Sequence, residues 1–428
     1  IIGSGAGSAI NSADADGTIA IGYQAGVLLT SGRYSTFVGY AAGYSSDTND
    51  GNTFIGYLAG YEADASTVVA GQNTYIGAFA GRFLDDGTDN VAIGYDAMAS
   101  NSDGAANAVN YSIAIGRNAM ASSDSNQGTI AIGYYANDHA SAAIGYQSAT
   151  NNATGADGTF LGYQSGLNVL LNYNTGIGAY TLQKLGTTGG GGAGENNTAI
   201  GALAMSGGDD TVANNTAKNN VAVGYATLGG ATKSSDGSAF TTNSSVAIGY
   251  QALTTITTGT NNVAVGYQAG YSTDSNGSNV FIGNKAGYEA DSATVSAINN
   301  VYIGEAAGRY LDDGVNNVAL GFGAMQSNSD GAANAVNSAI AIGRNAMAGS
   351  VSNQGTIAIG YYAGEHASAD VDNAVIIGRE AGRGAMTSGA DGTVAIGYEA
   401  GTLLTSGAGN TIMGYRAARS ATDSVTGA

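Results

Sequence analysis

The sequence predicts an all-β protein, a β-solenoid of about 23 short coils stacked into an elongated rod. A nine-residue motif, TIAIGYQAG at 18–26, recurs from the first residues to the last. Anchoring it on its central glycine gives 23 copies, whose spacing ranges from 12 to 25 residues and is most often 17. A constant motif separated by variable return loops is typical of a solenoid with one coil per repeat. Representative anchor glycines are Gly22, Gly56, Gly94, Gly133, Gly249, Gly266, Gly360 and Gly397.

The amino-acid composition indicates a packed chain with many hydrogen-bonded strands. The 428 residues include 70 Gly but no Pro, Cys or Trp, and 43% are hydrophobic. The absence of proline is consistent with a backbone whose N–H groups donate hydrogen bonds between strands, because proline has no N–H to donate. The net charge of −19 argues against nucleic-acid binding, since an acidic surface repels phosphate. No apolar run approaches the roughly 20 residues of a membrane-spanning helix, so no membrane span is predicted.

The order of residues within the motif predicts a short strand followed by a corner. The residue before each central glycine is aliphatic in all 23 copies, and the residue two places earlier is usually Ile, Val or Thr. This alternation predicts that both positions face a buried interior. The residue between them, such as Ala20, Phe37 or Tyr75, is then expected on an opposite, half-buried face.

The glycine and the alanine of the motif predict a tight corner. Glycine is required where φ is positive or where another chain segment approaches closely. Alanine stands three residues later in 19 copies, for example Ala25 and Ala252, which predicts a contact without room for larger side chains. We therefore expect a strand, a glycine corner, a second short strand and a return loop. Helix is the competing interpretation for segments such as 103–110, but frequent glycine disfavours it.

The chain is predicted to be one continuous array over 1–428. Residues 59–141 recur as 286–368, 227 positions later. Loops are longer over 179–248, where they are either a binding surface on a rigid scaffold or tolerated insertions. Neither end carries a polar cap, and the spacing from Gly414 through the chain ends to Gly3 would also be 17. We expect the array to continue, covalently in a longer protein or head-to-tail as a filament.

Two groups of side chains are candidate binding residues. Tyrosine follows the central glycine in 13 copies, and stacking of coils would align these rings as a stabilising ladder or as a surface that engages sugars or a partner. Closely spaced aspartates suit Ca²⁺, although aspartate is equally typical of turns. The tyrosines proposed for surface binding are Tyr23, Tyr40, Tyr57, Tyr250 and Tyr267, and the candidate calcium ligands are Asp47, Asp50, Asp85, Asp86, Asp312 and Asp313.

Catalytic chemistry is not predicted, and no cofactor beyond this possible Ca²⁺ is expected. The two histidines, His139 and His366, occupy the same position of the duplicated block. They form no recognisable set with serine, aspartate or a zinc ligand cluster. The sequence therefore favours a non-enzymatic role.

The AIGxxA pattern resembles the head repeats of YadA-type trimeric autotransporter adhesins and similar repeats of phage tail fibres. It is carried by VAIGYDA at 91–97, IAIGRNA at 113–119 and VAIGYQA at 246–252. The resemblance implies a left-handed β-roll, three chains along a common axis and a role in attachment. Independently, the Ala/Phe/Tyr face would need a partner chain to bury it.

The resulting functional hypothesis is a structural or adhesive shaft of an extracellular fibre, on a virion or a cell surface. Its expected partner is itself, as a homotrimer or a head-to-tail filament, with a cell-surface receptor or polysaccharide as a further partner. The alternative is a solenoid that binds ice or polysaccharide. Threonines at strand positions, such as Thr36 and Thr53, motivate the ice interpretation.

Overall fold

The predicted all-β, parallel β-solenoid is confirmed in the structure, a computed structural model. The described residues are 1–10, 16–46, 48, 50–62, 71–84, 87–100, 109–121, 127–136, 141–150, 157–169, 172–183, 194–206, 216–229, 241–273, 275–289, 291–292, 295–311, 314–327, 336–349, 352–365, 371–384 and 386–419. Most of the longer loops within 179–248, and both histidines, lie outside these residues.

The chain divides into two compact units. Unit 1 comprises Ile1–Thr188 with Ala193–Asn196, and unit 2 comprises Gly189–Gly192 with Asn197–Ala428. The strands of unit 1 are β1 (Ile19–Ile21), β2 (Thr36–Val38), β3 (Thr53–Ile55), β4 (Thr74–Ile76), β5 (Val91–Ile93), β6 (Ile113–Ile115), β7 (Ile130–Ile132), β8 (Ala142–Ile144), β9 (Thr159–Leu161) and β10 (Thr175–Ile177).

Among the described residues of unit 2 the same pattern recurs, together with a small antiparallel pair, β16 with β17, and a 3-10 turn at Ser388–Ala390. Its strands are β11 (Thr198–Ile200), β12 (Val221–Val223), β13 (Val246–Ile248), β14 (Val263–Val265), β15 (Val280–Ile282), β16 (Asp291–Ser292), β17 (Val295–Ser296), β18 (Val301–Ile303), β19 (Val318–Leu320), β20 (Ile340–Ile342), β21 (Ile357–Ile359), β22 (Val375–Ile377), β23 (Val394–Ile396) and β24 (Thr411–Met413).

Within each unit, successive three-residue strands pair in parallel, motif position against motif position. In unit 1, Ala20 lies opposite Phe37 and Phe37 opposite Phe54. In unit 2, Ala247 lies opposite Ala264. The described residues hold 22 such strands, one fewer than the 23 predicted coils, because the motif around Gly3 contributes only the bridge between Ile2 and Ile21.

The prediction of a second strand in each coil was wrong. After the glycine the chain forms a turn, in which the second and the fourth residues adopt left-handed conformations, as Asp96 and Met98 do with φ of 51° and 56°. Backbone bonds between coils still continue through this turn: the N–H of Met98 donates to the carbonyl of Ala119 at 2.8 Å. These bonds hold the turn in a conformation that non-glycine residues otherwise avoid.

The prediction of which strand face is buried was also wrong. The central residue of the three-residue parallel strands points into the coil: Ala20, Phe37 and Tyr75 are fully buried. The flanking aliphatic residues point outward, and Ile21 and Ile93 are each 37% exposed. The Ala/Phe/Tyr face therefore needs no partner chain. The apolar face that lacks cover within each unit is the Ile/Val face.

Volume inside each coil is balanced between two positions six residues apart. Wherever the strand centre is Phe or Tyr, the residue four places after the central glycine is Gly. A Cβ on Gly81 would lie 2.3 Å from the ring of Tyr75. Where the centre is small, Met or Leu can stand there: an added Cβ on Gly176 would lie 3.1 Å from Cδ1 of Leu182. The two side chains thus fill one shared space.

A buried asparagine ladder precedes the strands. The N–H of Asn73 donates to Oδ1 of Asn52 at 2.9 Å, and the N–H of Asn90 donates to Oδ1 of Asn73 at 3.0 Å. Nδ2 of Asn73 donates to the carbonyl of Gly87 at 2.7 Å. In unit 2, Asn262 repeats this geometry by accepting from the N–H of Asn279 at 3.0 Å. These bonds satisfy polar groups that each coil buries.

Two buried tyrosines predict alkaline sensitivity. Burial raises the pKa of Tyr75 and of its duplicate Tyr302, and this effect outweighs the opposing effect of the neighbouring asparagine. Unfolded tyrosine titrates near pH ~10. Stability should therefore be intact below pH ~10 and fall as the pH rises from there toward the higher folded pKa. Tyr75→Phe/Tyr302→Phe should lose less stability over this range, measured by thermal melts from pH 8 to 12. The exposed pair Tyr34→Phe/Tyr111→Phe should melt as the unsubstituted chain does at every pH.

Candidate binding surface

The outward side chains of the strands form the aliphatic face of each unit, defined as the first and third residues of the parallel strands. Its third-position residues include Ile55, Ile93 and Leu161 in unit 1, which are 37–43% exposed, and Ile248 and Leu320 in unit 2. Parallel pairing aligns equivalent residues of successive coils, so the exposed groups form continuous rows. β-branched residues suit this pleated surface, which explains why Ile, Val and Thr dominate it.

A tyrosine column adjoins the aliphatic face, since one glycine separates the two in sequence. The structure brings together the predicted tyrosines: the ring centroids of Tyr23 and Tyr40 are 5.1 Å apart, and those of Tyr40 and Tyr57 are 5.2 Å apart. Tyr250 and Tyr267 stack at 5.4 Å in unit 2. These five rings are 45–48% exposed.

The column continues through coils that lack tyrosine after the glycine. Phe79 lies edge-on between Tyr57 and Tyr95, at 5.3 and 5.6 Å. Arg117 places its guanidinium 5.5 Å from the ring of Tyr95 and 5.9 Å from that of Tyr134. Such cation–π contacts replace ring stacking where arginine stands. In unit 1 the column therefore runs without interruption from Tyr23 to Tyr180.

Stacking determines which parts of the rings can contact a ligand. Where the interplanar angles are small, as the 18° and 21° on the two sides of Tyr40 are, both ring faces are covered by neighbours. The exposed parts are the ring edges and the hydroxyl groups. A sugar that stacks on an aromatic face finds no free face within such a stretch. The geometry favours contact with another protein surface, which uses edges and hydroxyls well.

The proposed calcium ligands are mostly outside the described residues. Asp47, Asp85, Asp86, Asp312 and Asp313 lie there, so only Asp50 can be placed. One oxygen of the exposed Asp50 accepts a bond from the N–H of Arg33 at 2.6 Å, which is a turn contact between adjacent coils. Within the described ranges, no three acidic or histidine side chains come together as a metal site.

Sequence reasoning missed the face assignment and the continuity of the tyrosine column. Two motif positions vary together: the strand centre and the residue four places after the glycine. They hold Phe37 with Gly43 in one coil and Ala92 with Met98 in another, which indicates that the strand centre is internal. Phe79 stands one place after the position that tyrosine occupies in the motif, so the sequence did not place it in the tyrosine column. It reaches the column because its backbone is left-handed.

Comparison of the chain with known protein families, curated proteins and solved structures finds no match. Across the part of the chain that the structure describes, no helix has the length and hydrophobicity to cross a membrane.

Proposed function

We propose that this protein is a non-enzymatic structural shaft of an extracellular fibre, of the phage tail-fibre or surface-adhesin type, that associates with copies of itself. The observation that carries the proposal is the aliphatic face with its adjoining tyrosine column. Isolated soluble chains seldom expose such continuous apolar rows. The resemblance of the AIGxxA motif to trimeric adhesin repeats supports a homotrimer, with a receptor or polysaccharide as the eventual target.

The size of the surface fits a protein interface. With strands about 4.8 Å apart, the ten parallel strands of unit 1 span about 43 Å, and the five residues from strand to tyrosine span about 16 Å. The product is roughly 700 Å², against the roughly 800 Å² that each partner buries in a stable complex. Twelve parallel strands give unit 2 somewhat more. Either unit alone thus offers nearly enough surface for specific association.

Charge placed on the aliphatic face should prevent association. Ile55→Lys/Ile248→Lys puts one ammonium on each unit, at positions 38% and 39% exposed in the single chain. Burying these charges without partners should weaken self-association by at least about 100-fold. Sedimentation equilibrium should show a trimer for the unsubstituted chain and a monomer for this variant.

The matched control is Leu28→Lys/Leu403→Lys, because these leucines are 46% and 47% exposed in turns outside both surfaces. It should remain trimeric. A monomeric unsubstituted chain at high concentration, or face and control variants of equal mass, would contradict the proposal.

A second candidate, ice binding, has one observation in its favour. Thr36, Thr53 and Thr74 point outward in register on three successive coils. Bulkier Val38 and Ile55 share the same face, which makes it less regular than an all-threonine surface. Thermal hysteresis of the monomeric Ile55→Lys/Ile248→Lys variant and of the unsubstituted chain would distinguish this role from fibre assembly.

A further inference from the structure

Two adjacent coils of unit 1 and the two coils of unit 2 that lie 227 residues later share an interior but differ outside. An offset of 227 residues relates β3 and β4 of unit 1 to β15 and β18 of unit 2. The strand centres Phe54 and Tyr75 correspond to Phe281 and Tyr302, and all four are fully buried. The ring pairs are retained, at 4.8 Å and 5.6 Å between centroids. The packing of the coils therefore does not require the external difference.

Outside, unit 2 replaces an apolar stretch of the tyrosine column by polar residues. Asn284 and Glu305 are exposed in the positions that follow the two glycines. The ammonium of Lys285 lies 5.0 Å from the ring centroid of Tyr288. We call Asn284, Lys285 and Glu305 the polar break. At the equivalent places unit 1 has Tyr57, Leu58 and the pair Ala78–Phe79, whereas unit 2 has Asn284, Lys285 and the pair Glu305–Ala306.

A uniform repeating surface specifies axial register poorly. If one copy slides along another by one coil, about 4.8 Å, nearly every aliphatic and aromatic contact is replaced by an equivalent one. Staggered contacts of this kind are heterologous and lead to open-ended assemblies, whereas closed symmetry requires aligned copies. An apolar stripe alone would therefore permit several assemblies of similar free energy.

We propose that the polar break sets the axial register in which a second copy of this chain docks. This inference depends on the self-association proposed above. When copies are aligned, their polar breaks face each other, and Lys285 of each lies one coil from Glu305 of the other, within reach of a reciprocal ion pair. A stagger of one coil keeps only one of these two pairs, and the other Glu305 then lies opposite Phe322, where it loses water without gaining a partner.

The test fills the polar break with the residues that unit 1 already uses. The variant is Asn284→Tyr/Lys285→Leu/Glu305→Ala/Ala306→Phe, and Glu305→Ala alone is the milder form. The chain has no cysteine, so Leu403→Cys provides a single site for a spin label in each background. Double electron–electron resonance then reports distances between copies, and sedimentation velocity reports their size. Glu195→Ala, which removes one carboxylate elsewhere in the chain, is the control.

The unsubstituted chain and the Glu195→Ala control should give one narrow distance and one oligomer. Filling the polar break should raise the staggered share on the order of tenfold, seen as a broadened distance distribution and larger species. An oligomer with the same narrow distance in the filled variant would overturn the register role and leave self-association standing. A monomeric unsubstituted chain would overturn both. If the fourfold variant fails to fold, the Glu305→Ala data decide by the same criteria.

Discussion

Gly94→Ala is expected to destabilise unit 1 by roughly 3–6 kcal/mol, a large part of the stability of a typical domain. Gly94 has a φ of 137°, and an added Cβ would lie 2.5 Å from the carbonyl oxygen of Gly116. The obstacle is backbone rather than a mobile side chain. It cannot move away, because the N–H of Gly94 donates to Ile76 and that of Gly116 donates to Ile93, both at 2.8 Å. Relief of the clash requires two coils to separate.

Chemical denaturation of the variant and of Gly128→Ala measures this effect. Gly128 also has positive φ, at 64°, but no atom lies within 4 Å of an added Cβ. Its substitution should cost only about 1–2 kcal/mol, the strain of a left-handed alanine. Equal losses for the two variants would show that close approach of the coils does not account for the central glycine.

Exchanging the large and small members of one coil should cost less stability than removing the large member alone. Tyr75→Ala empties the fully buried position of β4 and should cost about 3–5 kcal/mol. Gly81→Met alone should cost about 1–3 kcal/mol or more, because its Cβ would lie 2.3 Å from the Tyr75 ring. Together they reproduce the next coil, where Ala92 and Met98 are both fully buried. Gly81 and Met98 have φ of 61° and 56°, so the backbone accepts the exchange.

A double-mutant cycle on urea unfolding measures the coupling. The double variant should be less destabilised than Tyr75→Ala, which requires a favourable coupling larger than the loss caused by Gly81→Met alone, about 3 kcal/mol. The reverse exchange, Ala92→Tyr/Met98→Gly, should show coupling of the same sign. Additive effects in both cycles would mean that the two positions do not share one space.

Much of the candidate surface could be predicted from the sequence, since parallel stacking of a fixed motif aligns equal positions. The column through Tyr23, Tyr40 and Tyr57 follows from the motif alone. Its continuation through Phe79 and Arg117 does not, because it depends on left-handed backbone geometry and on guanidinium–ring contacts between coils.

The sequence by itself determined two features of the coil: a short strand before each motif glycine, and a glycine where the coils approach most closely. Those features follow from local rules, namely alternation, backbone freedom and a fixed period. Only the tertiary structure decided which strand face is internal. Both faces are apolar, so alternation alone cannot distinguish them. The interior accepts Ala20 with Gly26 as readily as Tyr75 with Gly81 because neighbouring side chains share its volume. Ile21 and its equivalents are therefore left on the outside of each unit.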